Sequence, residues 1–251
     1  MLLPRLLMLR PRCGRMIGSI WTRPFSRPLS RACAPLLATV SGERVGVEFT
    51  RLLCESPRPS RALNLLLDLG LLPVFLPEIA RLKGTRQPPE FHPEGDVWTH
   101  TGRMLDDLPA PRDPVLAYGV LLHDVGKPPA QTILPDAATG GERIRFPNHA
   151  VLGEPLAQAI LTRLRQPTAR IEAVRAIVRR HMHFIEVEKM RPATLRRLMG
   201  APTFDQELEL HRLDLRHSNG DLGTHAFLRR KLAEFGVVSC SGDNRSRLAC
   251  D

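Results

Sequence analysis

The sequence predicts an all-α protein, in which a helical bundle follows a short helical neck. Leucine, alanine, arginine and glutamate are abundant and β-branched residues are sparse, a balance that favours helices. Apolar residues recur at helical spacing from residue 43 onwards. Hydrophobic residues make up 43% of the 251-residue chain and charged residues 25%, as in an ordinary globular protein that buries a core.

Residues 1–42 form an arginine-rich leader that we expect to be disordered. They contain seven arginines and no acidic residue, which suits a mitochondrial-type targeting segment. A disordered extension or translation from an upstream start fits this composition equally well. The remaining chain holds 29 basic and 26 acidic residues, so most of the net charge of +10 lies in the leader. Charge alone therefore requires no polyanionic partner.

Cysteine content, hydropathy and aromatic content argue against several classes of protein and limit the expected cellular location. Its five cysteines are odd in number and lack CxxC spacing, which argues against a disulfide framework and a thiolate zinc site. No stretch approaches the roughly 18 apolar residues of a membrane span. Aromatic residues make up only 5% of the chain, too few for an RNA reader that stacks bases. We expect a cytoplasmic protein without membrane contact, or a mitochondrial one if the leader is a targeting segment.

Residues 43–86 are predicted to form the helical neck. Apolar residues between 45 and 53 share one face of a first helix. Ser60 is placed to cap a second helix, which Gly70 closes. The apolar residues 71–79 continue as a turn and a short third helix.

Residues 87–236 are predicted to form the bundle. A Pro- and Gly-rich loop at 84–95 leads into it, and residues 130–147 make a polar excursion in which 144–146 pair briefly as a strand. Beyond residue 236 the pattern is lost, so 237–251 are expected to be an irregular tail. The helices are expected at about 96–108, 114–124, 149–165, 168–183 and 203–219.

An imidazole and a carboxylate, His123 and Asp124, stand side by side at the end of an apolar run. Residues 115–122 read as a buried helix, and Gly126 and Pro128 are its expected stop signals. The two side chains therefore form a chelating corner that packed structure holds. On its own, however, a buried His-Asp pair more often forms hydrogen bonds within the protein than binds a metal.

Four further metal-capable side chains lie on other predicted helices: His100, His149, His181 and Asp214. Helical spacing places His100 and His181 on the apolar faces of their helices, so both are predicted to face the core. Taken singly, each histidine is explained by a buried imidazole with a hydrogen-bond partner, and Asp214 by a solvated neighbour of arginines. Taken together, several buried ionisable groups would each cost several kcal/mol, and a divalent cation would remove that cost. Imidazoles and carboxylates without sulfur suit Mn, Fe, Co, Ni or Mg better than structural Zn. One or two ions are expected, and a pair roughly 3.5–4 Å apart would activate water against a phosphate.

The ordered residues resemble the H…HD…D pattern of the HD superfamily of metal-dependent phosphohydrolases. The segments "FHPEGDVWTHT", "LLHDVGKP" and "FPNHAVLGEPLA" are similar to the HD portion of bacterial CCA tRNA nucleotidyltransferases and related poly(A)-polymerase-like proteins. Residues 39–79 resemble the RNA-binding neck of those proteins, and the resemblance covers about residues 39–236. Residues 1–42 hold no counterpart of their nucleotidyltransferase head, so nucleotide addition is not expected from this chain alone.

The resemblance implies roles for the six side chains and for a lysine. One ion would be held by four of them: His100, His123, Asp124 and Asp214. Asp124 would bridge to a second ion on His149 and His181. His123, Asp124 and Lys127 would be catalytic. Lys127 would neutralise a substrate phosphate, or else be a surface lysine that caps the helix end. The implied substrates are phosphate monoesters or 2′,3′-cyclic phosphates, on a small molecule or an RNA end.

Arginines cluster on the later helices. We assign Arg196 and Arg197 to contact with RNA, tRNA in particular, and those between 163 and 180 to a solvated face. An alternative function is a truncated or split CCA-adding enzyme, acting as a non-catalytic RNA-binding partner of a separate nucleotidyltransferase subunit and keeping its metal for structure. A third hypothesis is that the chain is a pseudogene product with no settled role.

Overall fold

A computed structural model describes residues 34–93, 95–135 and 140–236 of the chain. It confirms the all-α fold class, since the described elements are helices apart from one two-stranded hairpin. None of the described helices is both long and apolar enough to cross a membrane. The disorder expected of residues 1–33 and the tail expected at 237–251 fall outside the described residues.

The neck begins with a 3-10 helix inside the expected leader. The described elements before residue 84 are this 3-10 helix (Ala34–Thr39), α1 (Gly42–Glu55), α2 (Pro59–Asp68), α3 (Leu72–Phe75) and α4 (Pro77–Ala80).

The bundle contains the expected helices together with others that periodicity did not predict, α10 and α12 among them. Its described elements are α5 (Val97–Asp106), α6 (Pro114–Leu122), α7 (Lys127–Ala130), β1 (Thr132–Pro135), β2 (Glu142–Arg145), α8 (His149–Arg163), α9 (Thr168–Arg180), a 3-10 helix (His181–Lys189), α10 (Pro192–Met199), α11 (Phe204–His217) and α12 (Gly223–Phe235).

Helix α6 lies at the centre of the molecule. Every residue from Leu116 to Leu122 is buried, and α1, α5, α9 and α11 all pack against it. Asp113 caps its first turn by accepting a hydrogen bond from the amide of Val115. A helix that is apolar all round has no face for solvent, so it belongs in the interior. The residues after its last turn, beginning with His123, therefore lie in the core.

The neck and the bundle share one hydrophobic core. A single cluster of buried side chains runs from Val45 on α1 to Leu213 on α11. The ring of Phe49 lies 6.3 Å from that of Tyr118 on α6, centroid to centroid. The Tyr118 hydroxyl group is 2.9 Å from Oγ1 of Thr50. The neck is therefore packed directly on the central helix of the bundle.

A buried ion pair fixes the end of α9 against α11. The carboxylate of Glu207 is buried and accepts hydrogen bonds from the Arg180 guanidinium and the Thr203 hydroxyl group. Because Arg180 is the last residue of α9, this contact also fixes the position of His181, which follows it.

Ser60 does not cap α2, and that prediction is wrong. The helix begins at Pro59, and its N-cap residue, Arg58, makes no side-chain capping bond. The Ser60 amide and hydroxyl groups instead donate to the carboxylate of Asp106 on α5, at 3.0 and 2.6 Å. A carboxylate from another helix thus meets a free amide of the first turn, and it ties the neck to the bundle. Gly70, by contrast, has the left-handed φ of 71° that suits a residue closing α2.

The predicted stop at Gly126 and Pro128 is also wrong in its mechanism. Helix α6 ends at Leu122, but Pro128 stands in the first turn of the next helix, α7. Gly126 has an ordinary φ of −83° and is no left-handed cap. Glycine is required there because an added Cβ would lie 2.0 Å from the carbonyl oxygen of His149 and 2.6 Å from the amide nitrogen of Gly153. This close approach seats the start of α8 on the turn after α6.

The polar excursion is an antiparallel hairpin. Strands β1 and β2 pair with Thr132 opposite Arg145 and Pro135 opposite Glu142. The expected pairing at 144–146 is therefore present but begins at Glu142 and ends at Arg145. Near the start of α8, after this hairpin, two apolar side chains face solvent: Val151 is 45% exposed and Leu152 is 42% exposed.

Replacing Gly126 with alanine is expected to lower the free energy of unfolding by about 3 kcal/mol, because the new methyl group would overlap backbone atoms. Thermal unfolding followed by circular dichroism measures the change. Gly200→Ala is the matched control, since a Cβ there would come no closer than 3.5 Å to any neighbour. Equal unfolding temperatures for wild type and Gly126→Ala would contradict the packing of α8 on this turn.

Candidate metal centre

The structure brings together the six side chains that the sequence predicted as metal ligands. They converge from five segments of the bundle: His100 on α5, His123 and Asp124 after α6, His149 at the start of α8, His181 after α9 and Asp214 on α11. All are buried except Asp214, whose side chain is 27% exposed.

The Asp124 carboxylate lies between two groups of imidazoles. Potential ligand atoms of His100, His123 and Asp124 lie within 4.8 Å of one another, and so do those of Asp124, His149 and His181. Oδ2 of Asp124 is 3.1 Å from Nε2 of His123. Oδ1 is 3.4 Å from Nε2 of His149 and 3.8 Å from Nε2 of His181. One oxygen therefore faces each group, as in a carboxylate that bridges two cations.

Backbone carbonyl groups orient three of the imidazoles. Nδ1 of His123, His149 and His181 lies 2.8, 3.0 and 2.7 Å from the carbonyl oxygen three residues earlier. A carbonyl oxygen only accepts hydrogen bonds, so each Nδ1 carries a proton, and in the neutral form of the ring Nε2 keeps its lone pair. Metal-binding histidines are commonly oriented in this way, with one ring nitrogen anchored and the other free for the ion.

The Nε2 atoms of His149 and His181 are close enough to bind one cation together. Their Nε2 atoms lie 3.1 Å apart, and both are acceptors when Nδ1 is protonated. Burial lowers the pKa of His181 to about 3 and also lowers that of His149, so neither ring takes a second proton near neutral pH. Two lone pairs at this distance repel unless a positive ion lies between them.

The first group shows the same feature. Nε2 of His123 and Oδ2 of Asp124 are buried and lie 3.1 Å apart, and neither has a hydrogen-bond partner of suitable geometry among the described residues. Their lone pairs suit a shared cation better than they suit each other. The donor set of imidazole nitrogens and carboxylate oxygens therefore fits a divalent transition metal or Mg²⁺.

Both carboxyl groups of the centre remain ionised. Burial raises the pKa of Asp124, but its close contacts with the His123 ring and the Lys127 ammonium group outweigh burial and hold the pKa well below its usual value. Burial likewise raises the pKa of Asp214, and its contact with His100 (Nε2 to Oδ1, 3.1 Å) brings the pKa far below normal. The centre thus has permanent negative charge to attract a cation.

Lys127 is buried, so the alternative of a surface lysine is wrong. Its side chain is 9% exposed, and its Nζ lies 2.7 Å from Oδ2 of Asp124. The same ammonium group donates to Oε1 of Gln87 at 2.6 Å and lies 5.3 Å from the centre of the Phe146 ring. Lys127 therefore lies at the centre, in contact with Asp124.

The structure does not bring the predicted RNA-binding arginines into this centre. Arg196 and Arg197 are exposed on α10. The guanidinium group of Arg196 lies over the ring of Phe235, 4.4 Å from its centroid.

Sequence reasoning missed two side chains, Gln87 and His92. Gln87 is 2% exposed, and the ring of His92 stands edge-on to that of His100 with centroids 4.8 Å apart. Both line an open cleft of about 470 Å³ beside the centre. Their loop is closed by backbone hydrogen bonds, such as that from the Gln87 amide to the Gly95 carbonyl at 3.0 Å. The sequence feature that could have indicated them is the presence of polar side chains in the Pro-rich loop before His100.

Two family models match the chain. Residues 28–83 match a family described as the probable RNA and SrmB-binding site of polymerase A, and residues 96–214 match the HD domain. The second match begins next to α5 and ends at Asp214, and so spans all six side chains of the centre. The first begins inside the expected leader and ends with the neck.

Curated relatives are similar over much of the chain. The Multifunctional CCA protein of Halorhodospira halophila is 38% identical over 61% of this chain and 35% of its own length. That of Alkalilimnicola ehrlichii is 32% identical over 83% of the chain and 43% of its own length. The CC-adding tRNA nucleotidyltransferase of Thermus thermophilus is 40% identical over 59% of the chain and 33% of its own length.

The chain thus spans less than half the length of these three relatives. The matches confirm the HD and RNA-binding neck portions that the sequence motifs indicated. The chain therefore contains an HD domain, and in front of it a segment that matches the probable RNA and SrmB-binding site of polymerase A.

Proposed function

We propose that this chain is a metal-dependent phosphohydrolase that acts on phosphate monoesters or 2′,3′-cyclic phosphates in tRNA or RNA processing. The observation that carries the proposal is the facing Nε2 atoms of His149 and His181, 3.1 Å apart beside the shared carboxylate of Asp124. Such an arrangement costs folding free energy unless a cation occupies it.

The donor atoms divide into two sets. Four side chains would hold one ion: His100, His123, Asp124 and Asp214. Asp124, His149 and His181 would hold a second. Ni, Mn, Co, Fe and Mg suit these ligands. A bound divalent cation supplies Lewis-acid activation of water and of the phosphorus centre.

The chain's own groups supply positioning and charge. The carbonyl-anchored imidazoles hold their Nε2 atoms fixed, so little reorganisation is needed during the reaction. The Lys127 ammonium, buried beside Asp124, would neutralise a phosphate oxygen of the substrate. Because Lys127 and Asp124 are buried, their charges act more strongly than they would at the surface.

We further propose tRNA as the RNA partner. The relatives are named as CCA proteins and a CC-adding tRNA nucleotidyltransferase, and residues 28–83 match an RNA-binding segment. The exposed Arg196 and Arg197 on α10 would contact the phosphate backbone. A tRNA partner and the free thiol of Cys54 fit a reducing, cytoplasmic location.

The alternative is a non-catalytic RNA-binding subunit that works with a separate nucleotidyltransferase and keeps its metal for structure. The shared core of neck and bundle favours it, since an ion that stabilises the bundle would also stabilise the RNA-binding neck.

Adding Mn²⁺, Ni²⁺ or Co²⁺ to metal-free protein is expected to raise its unfolding temperature. An ion at 100 times its dissociation constant stabilises the fold by about 2.7 kcal/mol. Asp124→Ala is expected to abolish the metal-induced shift, because this carboxylate serves both groups of imidazoles. His217→Ala is the control that keeps the shift, since His217 pairs with Asp107 outside the centre. An equal shift in wild type and Asp124→Ala would place the ion elsewhere.

Purified protein with Mn²⁺, Ni²⁺ or Co²⁺ is expected to hydrolyse a chromogenic phosphate ester or a 2′,3′-cyclic nucleotide. His123→Ala and Asp124→Ala are expected to lower kcat/KM by about 100-fold or more, because each removes a proposed ligand. His217→Ala serves again as the control with retained activity. A metal-induced rise in unfolding temperature without any turnover would reject the hydrolase and support the structural-metal alternative.

Binding of tRNA is expected to be weak and to fall steeply as salt rises. Replacing Arg196 and Arg197 together with alanine is expected to weaken it and to lower the slope of log K against log salt by about 2. Filter binding across a salt series measures both quantities. Arg175→Ala/Arg179→Ala is the matched control, because these arginines pair with Glu154. Unchanged affinity and slope in the Arg196/Arg197 variant would remove the assignment.

A further inference from the structure

Gln87 makes one of the few polar contacts of the buried lysine. Its side chain is 2% exposed, and its Oε1 accepts a hydrogen bond from Nζ of Lys127 at 2.6 Å. The residue comes from the loop before α5, where the Gln87 amide donates to the Gly95 carbonyl and the Val97 amide donates to the Thr85 carbonyl, both at 3.0 Å. These bonds across the base of the loop hold Gln87 against the metal centre.

The orientation of the Gln87 amide group is set by its partner. An ammonium group only donates hydrogen bonds, so the amide oxygen must face Lys127 and the amide nitrogen must face away. That nitrogen is buried and has no hydrogen-bond partner among the described residues. A buried donor left unpaired weakens the fold, and a methionine of similar size would fill the space without one. Packing alone therefore does not account for glutamine at this position.

The ammonium group of Lys127 shares an oxygen with the proposed metal position. It lies 2.7 Å from Oδ2 of Asp124, the same atom that is 3.1 Å from Nε2 of His123. A divalent cation held by His123 and Asp124 would therefore compete with the Lys127 ammonium group for this oxygen. Oε1 of Gln87 gives the ammonium group a second hydrogen-bond acceptor besides Asp124.

We propose that Gln87 is a positioning residue that restrains the Lys127 ammonium, so that Oδ2 of Asp124 remains available to a divalent cation. This inference rests on the proposed function. Without the Gln87 acceptor, Asp124 is the main partner left to the buried ammonium, which would then compete more strongly with the metal. With it, Lys127 stays beside the centre, ready to meet a substrate phosphate.

Isothermal titration of the metal-free full chain with Mn²⁺ tests the inference without any measurement of turnover. Gln87→Met removes the acceptor at similar size, and Gln87→Asn keeps an amide that is too short to reach Lys127. Both are expected to weaken Mn²⁺ binding about tenfold, the effect of one hydrogen bond to a charged group. Gln87→Glu keeps an acceptor at the same reach and is expected to retain affinity within about threefold of wild type.

A double-mutant cycle with Lys127→Met decides whether Gln87 acts through the lysine. In the Lys127→Met background, Gln87→Met is expected to cause no further loss of Mn²⁺ affinity. An equal tenfold loss in that background would overturn the proposal, as would wild-type affinity in both Gln87→Met and Gln87→Asn. Circular dichroism melting of each variant confirms folding, and if one of the two does not fold, the other carries the comparison.

Mn²⁺ binding by wild type distinguishes failure of the proposed function from failure of the role proposed for Gln87. If wild type binds no divalent cation, the proposed function fails and this inference fails with it. If wild type binds Mn²⁺ with an affinity that the Gln87 variants share, only the positioning role is lost.

Discussion

A carboxylate buried at the end of a helix that has no solvent-facing side is the constraint on which this structure depends. Helix α6 is surrounded by α1, α5, α9 and α11, and the residues just after its end, His123 and Asp124, are buried. Asp124, just beyond that end, must be compensated inside the protein. The Lys127 ammonium group provides part of this compensation, and the Nε2 atoms of His123, His149 and His181 around the carboxylate complete a set of donors that suits a cation. The convergence of five segments on one point follows from that requirement.

Helical periodicity was sufficient to predict the fold class and the inward-facing histidines. His100 and His181 follow the apolar stripes of their helices, and a stripe that faces the core takes its histidine with it. Periodicity could not find Gln87, because its place depends on hydrogen bonds across a loop rather than on a repeating pattern. It also could not decide whether Lys127 was at the surface, since that depends on Gln87 and Phe146.

The errors at Ser60 and Gly126 have a common cause. Each residue carries a familiar local signal, a helix cap or a helix stop, and in each case a distant segment overrides it. Asp106 of α5 takes the hydrogen bonds of Ser60, and the start of α8 occupies the space beside Gly126. Both contacts join parts of the chain that are far apart in sequence. Single-residue signals therefore failed where tertiary contacts replaced the local interaction.

The imidazoles of His123 and His181 also complete the ends of the helices that precede them. The last carbonyl groups of a helix lack intrahelical partners, and these two rings donate to the carbonyls of Val120 and Val178, in the final turns of α6 and α9. Each ring is thus a piece of architecture as well as a candidate ligand. Replacing either ring would remove this hydrogen bond from the end of its helix, even in a protein that binds no metal. Selection for the fold alone would therefore retain these two histidines.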